Sequence, residues 1–289
     1  MIINWYPGHM AKAKRLIEEN LKVIDAVIEL VDARIPVSST NPMIATLLGG
    51  KPSVIVLNKA DLADPAALEL WKAYYRNRGR HVIALNSKDG RGIKQLIQAV
   101  RKMAEPKLAH WRARGLKNRP VRTIILGIPN VGKSTLINRL AGRNVAKTAD
   151  RPGETKGKQW VHLSDSLDLL DTPGVLWPKL ENQRSAKRLA ATGAISDAVF
   201  DMQEVVTELI SELSVRYPEA LARRFKLDGL DEDPALTVVR IGRNRGCVVA
   251  GGTVDMEKTY KLIIKEYREG RIGAISLDWP GEFEGKDND

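Results

Sequence analysis

Five short apolar runs mark the first two-thirds of the chain: AVIELVD (26–32), PSVIVLN (52–58), HVIAL (81–85), RTIILG (122–127) and LDLLD (167–171). Their length and their wealth of Val, Ile and Leu predict strands buried on both faces. Between several of them apolar positions recur at helical spacing, over 64–78, 91–103 and 133–141. Asp64-Pro65 supplies an N-cap followed by proline at the first helical position. Alternation of this kind predicts an α/β fold, a mostly parallel sheet with helices on both faces. KQWVHL (158–163) lies only Ser164-Asp165-Ser166 away from LDLLD, so these two runs predict an antiparallel hairpin.

The texture changes near residue 180, where strand-like runs thin out. Val205, Val206, Leu209, Ile210 and Leu213 repeat at helical spacing, as do Leu262, Ile263 and Tyr267 after Asp255. Asp233-Pro234 reads as a helix start and Tyr217-Pro218 as a helix stop. The expected division is an α/β domain over 1–179, with a connecting segment over 104–121, and a small all-α C-terminal domain over 180–289 with an acidic tail.

Composition narrows the class. No apolar run approaches the roughly 18 residues of a membrane span, so no membrane contact is expected. The lone Cys247 excludes an internal disulfide and a cysteine metal cluster, which fits a reducing compartment. MIINWYPGHM has neither the apolar stretch of a secretory signal nor the character of a transit peptide, so a cytoplasmic protein is expected. Nothing in the pattern demands more than a monomer. The net charge of +11 is unevenly spread: residues 1–181 carry +14 and residues 182–289 carry −3. Within 101–122, eight basic residues face only Glu105, which points to a polyanionic partner such as nucleic acid.

GIPNVGKS reads Gly127-x4-Gly132-Lys133-Ser134 and stands between a strand and a helix, the setting a phosphate-binding loop requires. Its glycines let successive backbone N–H groups turn toward phosphate oxygens. Lys133 supplies a charge to the β- and γ-phosphates, Ser134 a hydroxyl for Mg²⁺, and Asn130, Val131, Gly132 and Thr135 complete the expected nucleotide contacts. DTPG (171–174) ends the later hairpin strand, where Asp171 can hold Mg²⁺ and the Gly174 amide can meet the γ-phosphate. In the polar stretch DRPGETKGKQ (150–159), Thr155 can sense the γ-phosphate and complete the Mg²⁺ shell.

LNKAD (57–61) carries the pattern that reads guanine. Asp61 can accept from the guanine N1–H and exocyclic amine, a pairing adenine does not offer. Lys59 can lie along the purine face while Asn58 braces the loops, and NSK (Asn86, Ser87, Lys88) can bring its middle amide to the guanine O6. Each motif ends a strand, the edge where open parallel sheets bind ligands. Their order is reversed from the usual one, because the base-reading motifs precede the phosphate loop. Circular permutation resolves the reversal, with the basic segment joining the two halves.

On these motifs, together with WYPGHMAKA (5–13), DARIP (32–36), DRPGET and LDTPGVLWPK, the chain resembles the circularly permuted ribosome-assembly GTPases over most of its length. The resemblance implies a permuted Ras-like P-loop GTPase domain and a helical C-terminal domain that contacts RNA. It also implies GTP hydrolysis to GDP coupled to late maturation of the large ribosomal subunit. RNA contact by the helical part would rest on clusters such as Arg184/Lys187/Arg188 and Arg223/Arg224/Lys226. Asn130 matches relatives that use K⁺ near the phosphates; the alternative is that it braces the loop.

Two positions after the Asp-x-x-Gly motif, Val175 and Leu176, have no side chain to orient water. His81, His110 and His162 read as structural or surface residues. His9, on the Pro7-Gly8 turn, is the candidate catalytic group. Equally, Trp5–Met10 can cap the sheet edge or stack on RNA. Arg34 is expected to form a structural ion pair, with Asp32 or a nearby loop, rather than act as an arginine finger. Two rival readings stand beside the GTPase switch. A kinase on the same loop leaves NKAD unexplained. An RNA-binding assembly factor that uses nucleotide only as a conformational ligand would account for the lack of a water-orienting side chain at Val175 and Leu176, but intact Lys133, Ser134 and Asp171 argue against lost hydrolysis.

Overall fold

Six strands pair in the order β3-β2-β1-β4-β6-β5: β1 (Ala26–Asp32), β2 (Ser53–Asn58), β3 (His81–Leu85), β4 (Val121–Gly127), β5 (Gln159–Ser164) and β6 (Leu167–Asp171). The computed structural model describes residues 15, 17–115, 119–143, 159–164, 167–171 and 182–283. All neighbours run parallel except β5, which forms an antiparallel hairpin with β6. Every residue of β1 is buried, as a central strand covered on both faces requires. Register aligns Asp32 with Asn58, Asn58 with Leu85 and Leu30 with Gly127. The motif-bearing strand ends therefore gather at one edge, and chain order reverses between β1 and β4, where such sheets open a crevice.

Nine helices have described ranges: α1 (Pro42–Leu48), α2 (Pro65–Asn77), α3 (Ile93–Ala113), α4 (Lys133–Ala141), α5 (Gln183–Ala191), α6 (Met202–Arg216), α7 (Pro218–Phe225), α8 (Pro234–Asn244) and α9 (Met256–Arg268). Their caps follow the sequence signals. The carboxylate of Asp64 accepts from the Ala66 and Ala67 amides, and Asp233 and Asp255 cap α8 and α9 in the same way. Pro218 both stops α6 and opens α7. One expectation needs correcting: the helix predicted over 91–103 runs on through Pro106 to Ala113, so most of the basic connecting segment is helical. Pro106 sits on the exposed side, while Leu96, Val100 and Ala104 anchor the other face, and that burial outweighs the one lost backbone bond.

The largest of three apolar clusters among the described residues joins sheet and helices, running from Ile28, Leu30 and Val56 to Leu189, Leu209, Phe225 and Ile264. After α9 the chain returns to the first sequence half. The Ile275 amide donates to the Leu62 carbonyl at 2.9 Å, and the Leu277 and Asp278 amides share the Arg34 carbonyl at 2.9 and 3.2 Å. Trp71 Nε1 donates to the Asp278 carbonyl at 3.0 Å. The acidic tail lies outside the described residues. Among the described residues, no helix is long and apolar enough to cross a membrane.

The returning segment is locked by charge. Arg188, only 3% exposed, donates at 2.9 Å to both Asp278 and Glu282 and at 3.0 Å to Glu212. Asp278 also accepts from the Ser38 amide and hydroxyl at 2.7 and 2.8 Å. Burial pushes its carboxyl up to about 6 against the opposing pull of Arg188 and Ser38. Arg188→Met leaves three carboxylates without this partner. It should destabilise the chain by about 3–5 kcal/mol in urea unfolding, whereas a loss below about 1 kcal/mol would show the network to be dispensable.

Candidate functional site

The phosphate loop leaves β4 with a backbone that few residues accept. Asn130 and Gly132 have φ of +55° and +103°, and a Cβ on Gly132 would lie 2.4 Å from the Asn58 amide nitrogen. Lys133 opens α4 with its side chain folded back, Nζ donating to the Gly127 and Ile128 carbonyls at 3.2 and 3.0 Å. Ser134 and Thr135 follow, half-buried in the first helical turn. A helix N-terminus, a loop with unusual φ angles and a lysine ammonium together suit an anionic phosphate chain.

The guanine-loop candidates arrive from the other half of the chain and touch this loop directly. Asn58 is 1% exposed and bonds in two directions. Its amide nitrogen donates to the Val131 carbonyl at 2.7 Å, and its oxygen accepts from the Ser87 hydroxyl and amide at 2.8 and 3.1 Å. The bracing role expected of Asn58 is what the geometry shows. The Ser87 amide, the group expected to meet the guanine O6, donates here to the Asn58 oxygen alongside its own hydroxyl. Asn86 closes an Asx turn onto the Lys88 amide at 2.8 Å, Lys88 is exposed, and Arg139 of α4 donates to the Ser87 carbonyl at 3.4 Å.

Lys59 stands at φ +58°, and its ammonium reaches Asp32 at 3.0 Å. Asp32 also takes a two-pronged contact from Arg34, Nε at 2.9 Å and Nη2 at 2.8 Å. The expected Asp32–Arg34 ion pair is therefore present. Burial alone would raise the Asp32 carboxyl, but Arg34 and Lys59 hold it well below the usual carboxylate range. Arg34 lies over the Tyr267 ring, 5.1 Å from its centre, which keeps it inside the structure. The Asp32–Lys59 contact was not anticipated, although Asp32 and Asn58 end adjacent strands in register. Asp61, one turn beyond, is exposed and open to a ligand.

Asn130 donates to the Gly193 carbonyl at 2.8 Å, linking the phosphate loop to the turn after α5. Asp171 closes β6, the strand beside β4. Thr155, Gly174 and His9 lie outside the described residues. His162 pairs with Asp168 at 2.8 Å, and it, His81 and His110 are all exposed. Among the described residues, no group of three His, Cys, Asp or Glu could hold a metal ion. The Ser134 hydroxyl at the start of α4 fits a Mg²⁺ carried in on phosphate oxygens better than a protein-built cage.

The arginine clusters expected to meet RNA in the helical part are largely committed elsewhere. Arg184 and Arg188 pair with Glu212, Lys187 with Glu208 and Arg224 with Glu266. Arg223 and Lys226 are exposed.

Comparison with known proteins follows the same lines. A family model described as "50S ribosome-binding GTPase" matches residues 122–225. The protein named Ribosome biogenesis GTPase A from Bacillus licheniformis is 48% identical over 283 residues, covering 98% of this chain and 100% of that protein. Its namesake from Bacillus cereus is 46% identical over 283 residues, covering 98% and 96%. Among solved structures, GNP-bound YlqF from T. maritima superposes with a TM-score of 0.66 at 27% identity, covering 93% of this chain and 98% of that one.

Gly132→Ala should both strain the phosphate loop, at about 1–3 kcal/mol, and displace Asn58. Thermal unfolding and binding of a fluorescent guanine nucleotide would read the two effects. Wild-type affinity in the variant would show that the close approach of Gly132 and Asn58 is not required.

Proposed function

The chain belongs to the ribosome biogenesis GTPase A family, and on that premise we propose that it works as a GTP-hydrolysing switch in late assembly of the large ribosomal subunit. It is a GTPase. In this reading the GTP form docks on the immature particle and hydrolysis releases it. The observation that carries the reading is the Asn58 bridge, a 2.7 Å bond that joins the base-side loop to the phosphate loop across 73 residues of sequence.

The roles follow from the chemistry of the groups. Asp61 accepts from the guanine N1–H and amine, Lys59 lies along the purine face, and Asn58, Asn86, Ser87 and Lys88 shape the base pocket. Lys133 and the amides of Asn130–Thr135 hold the phosphates. Mg²⁺ would be held by Ser134, Asp171 and Thr155, and would supply charge neutralisation for the phosphates. The Lys133 ammonium carries three donors, so its bonds to the Gly127 and Ile128 carbonyls are compatible with a phosphate contact, and Lys59 turns within reach of Asp32. The bond from Asn130 to Gly193 supports loop bracing as that residue's role, with a K⁺ contribution as the alternative that equal rates in Na⁺ and K⁺ buffers would end.

His9 is proposed to orient the attacking water, since Val175 and Leu176 lack a group that can do so. The helical domain over 180–289 is proposed to contact ribosomal RNA through residues such as Arg223 and Lys226.

Asp61→Asn should exchange guanine for xanthine nucleotides as preferred ligands, read by competition binding; an unchanged preference contradicts the assignment of Asp61. On purified large-subunit precursor particles, His9→Ala should still co-sediment with a GTP analogue and not with GDP. Its single-turnover hydrolysis should fall by about 100-fold or more. Wild-type rates would remove His9 from the mechanism, and sedimentation indifferent to nucleotide would contradict the switch.

A further inference from the structure

The amino-terminal edge of the sheet, opposite the edge that carries the nucleotide motifs, gathers the basic residues of the connecting segment around the start of β1. Asp25, its side chain 1% exposed, pairs with Lys107 at 2.7 Å and with Arg119 at 3.5 Å, and accepts from the Arg122 amide at 2.9 Å. Lys51 and Lys107 both reach the Ile24 carbonyl, each at 3.4 Å. Arg119 packs over the ring of Trp111, and Lys107 lies 5.4 Å from the same ring. Arg122 stands 5.6 Å over Trp160, which is 38% exposed. These contacts chain four cations and two tryptophans into one continuous band.

Closing the permuted fold accounts for only part of the band. One buried carboxylate beside a strand start needs a cation or two, and Lys107 and Arg119 supply them. Lys51, the Arg122 guanidinium and the exposed face of Trp160 are surplus to that need. Nearby acids do not balance the band. Glu105 is taken by Arg112 and Asp168 is shared with His162. Burial is the main cause lowering Lys51 and Arg119; repulsion from Lys107 and from Arg122 adds to it, and Asp25 opposes it in both. A polyanion laid across the band would relieve that repulsion, and flat aromatic rings between cations suit stacked bases better than acidic side chains.

We propose that this band, Lys51–Lys107–Trp111–Arg119–Arg122–Trp160, is an RNA-binding surface that starts at the amino-terminal edge of the sheet and runs across the β5–β6 hairpin to Trp160, which pairs with Leu170, distinct from the contact proposed for the helical domain. The proposal rests on the ribosome-assembly reading and deepens it: RNA would be held at two places, one of them built from the segment that joins the permuted halves.

The double variant Lys51→Gln/Arg122→Gln spares the Asp25 pairs and the Arg122 amide, so the fold is retained, which thermal unfolding checks. With a labelled fragment of large-subunit ribosomal RNA in fluorescence anisotropy, it should bind about tenfold more weakly. Its slope of log K against log salt should fall by about 1.4, two phosphate contacts at about 0.7 each. Trp160→Ala should weaken binding with the slope unchanged, and Lys51→Arg/Arg122→Lys should bind as wild type. Intrinsic GTP hydrolysis should be the same in all of them. Equal affinity and slope in the Gln variant, or polyglutamate competing as well as RNA, would overturn the proposal. Co-sedimentation with ribosomal particles separates the two levels. A wild-type chain that binds neither particle nor RNA overturns the assembly reading and the band together. A wild-type chain that binds while the Gln variant binds equally overturns the band alone.

Discussion

The side chain of Asn58 is the joint on which the site depends. It is a buried amide whose nitrogen and oxygen are both satisfied, one by the phosphate loop at Val131 and the other by the second base-side loop at Ser87. Breaking either contact would leave a buried polar group unpaired at about 1–3 kcal/mol, so each loop holds the other in place. Gly132 follows from the same constraint, since a side chain there would occupy the space of the amide. Three segments from two distant parts of the sequence are thus bonded into one surface.

Permutation sets the demands on the rest of the chain. The sheet is indifferent to where the chain is cut, because β1 pairs with β2 and β4 alike and parallel register brings all motif-bearing ends to one edge. What changes is the burden on the connections. The segment joining the halves is a long helix and a return pinned at Asp25, while the chain after α9 is pinned at Arg34, Leu62 and Asp64. The second of these pins lies close to the base-side loop. Asp32 holds both Lys59 and Arg34, and the Arg34 carbonyl holds the returning segment. On the phosphate side, Asn130 holds Gly193. The helical part is therefore bonded to both halves of the site, which gives nucleotide binding a direct physical route to it.

Much of this was legible in the sequence, for physical reasons that vary by feature. Buried strands are short, apolar and flanked by turns, so all six were found within a residue or so of their observed bounds. Capping carboxylates such as Asp64, Asp233 and Asp255 act over three residues and were equally plain. The end of the helix predicted over 91–103 was missed, because its continuation to Ala113 through Pro106 rests on packing of Leu96, Val100 and Ala104 that no local pattern contains. Arg184, Lys187 and Arg188 looked like a basic cluster, but their acidic partners lie between 21 and 98 residues away in sequence. The Asp32–Lys59 contact and the turning of the Ser87 amide toward Asn58 also depend on strand register. The motifs themselves were readable because phosphate and guanine recognition constrain backbone and side chain within a few residues.

One structure tests the central claim most directly: the chain bound to a non-hydrolysable GTP analogue and Mg²⁺, solved by crystallography. The account predicts a single nucleotide, its base edge on Asp61 beside Lys59 and its phosphates over Gly132, Lys133 and Ser134, with the Asn58 bridge intact between them. A base lying away from Asp61, or phosphates held elsewhere than the loop after β4, would contradict it.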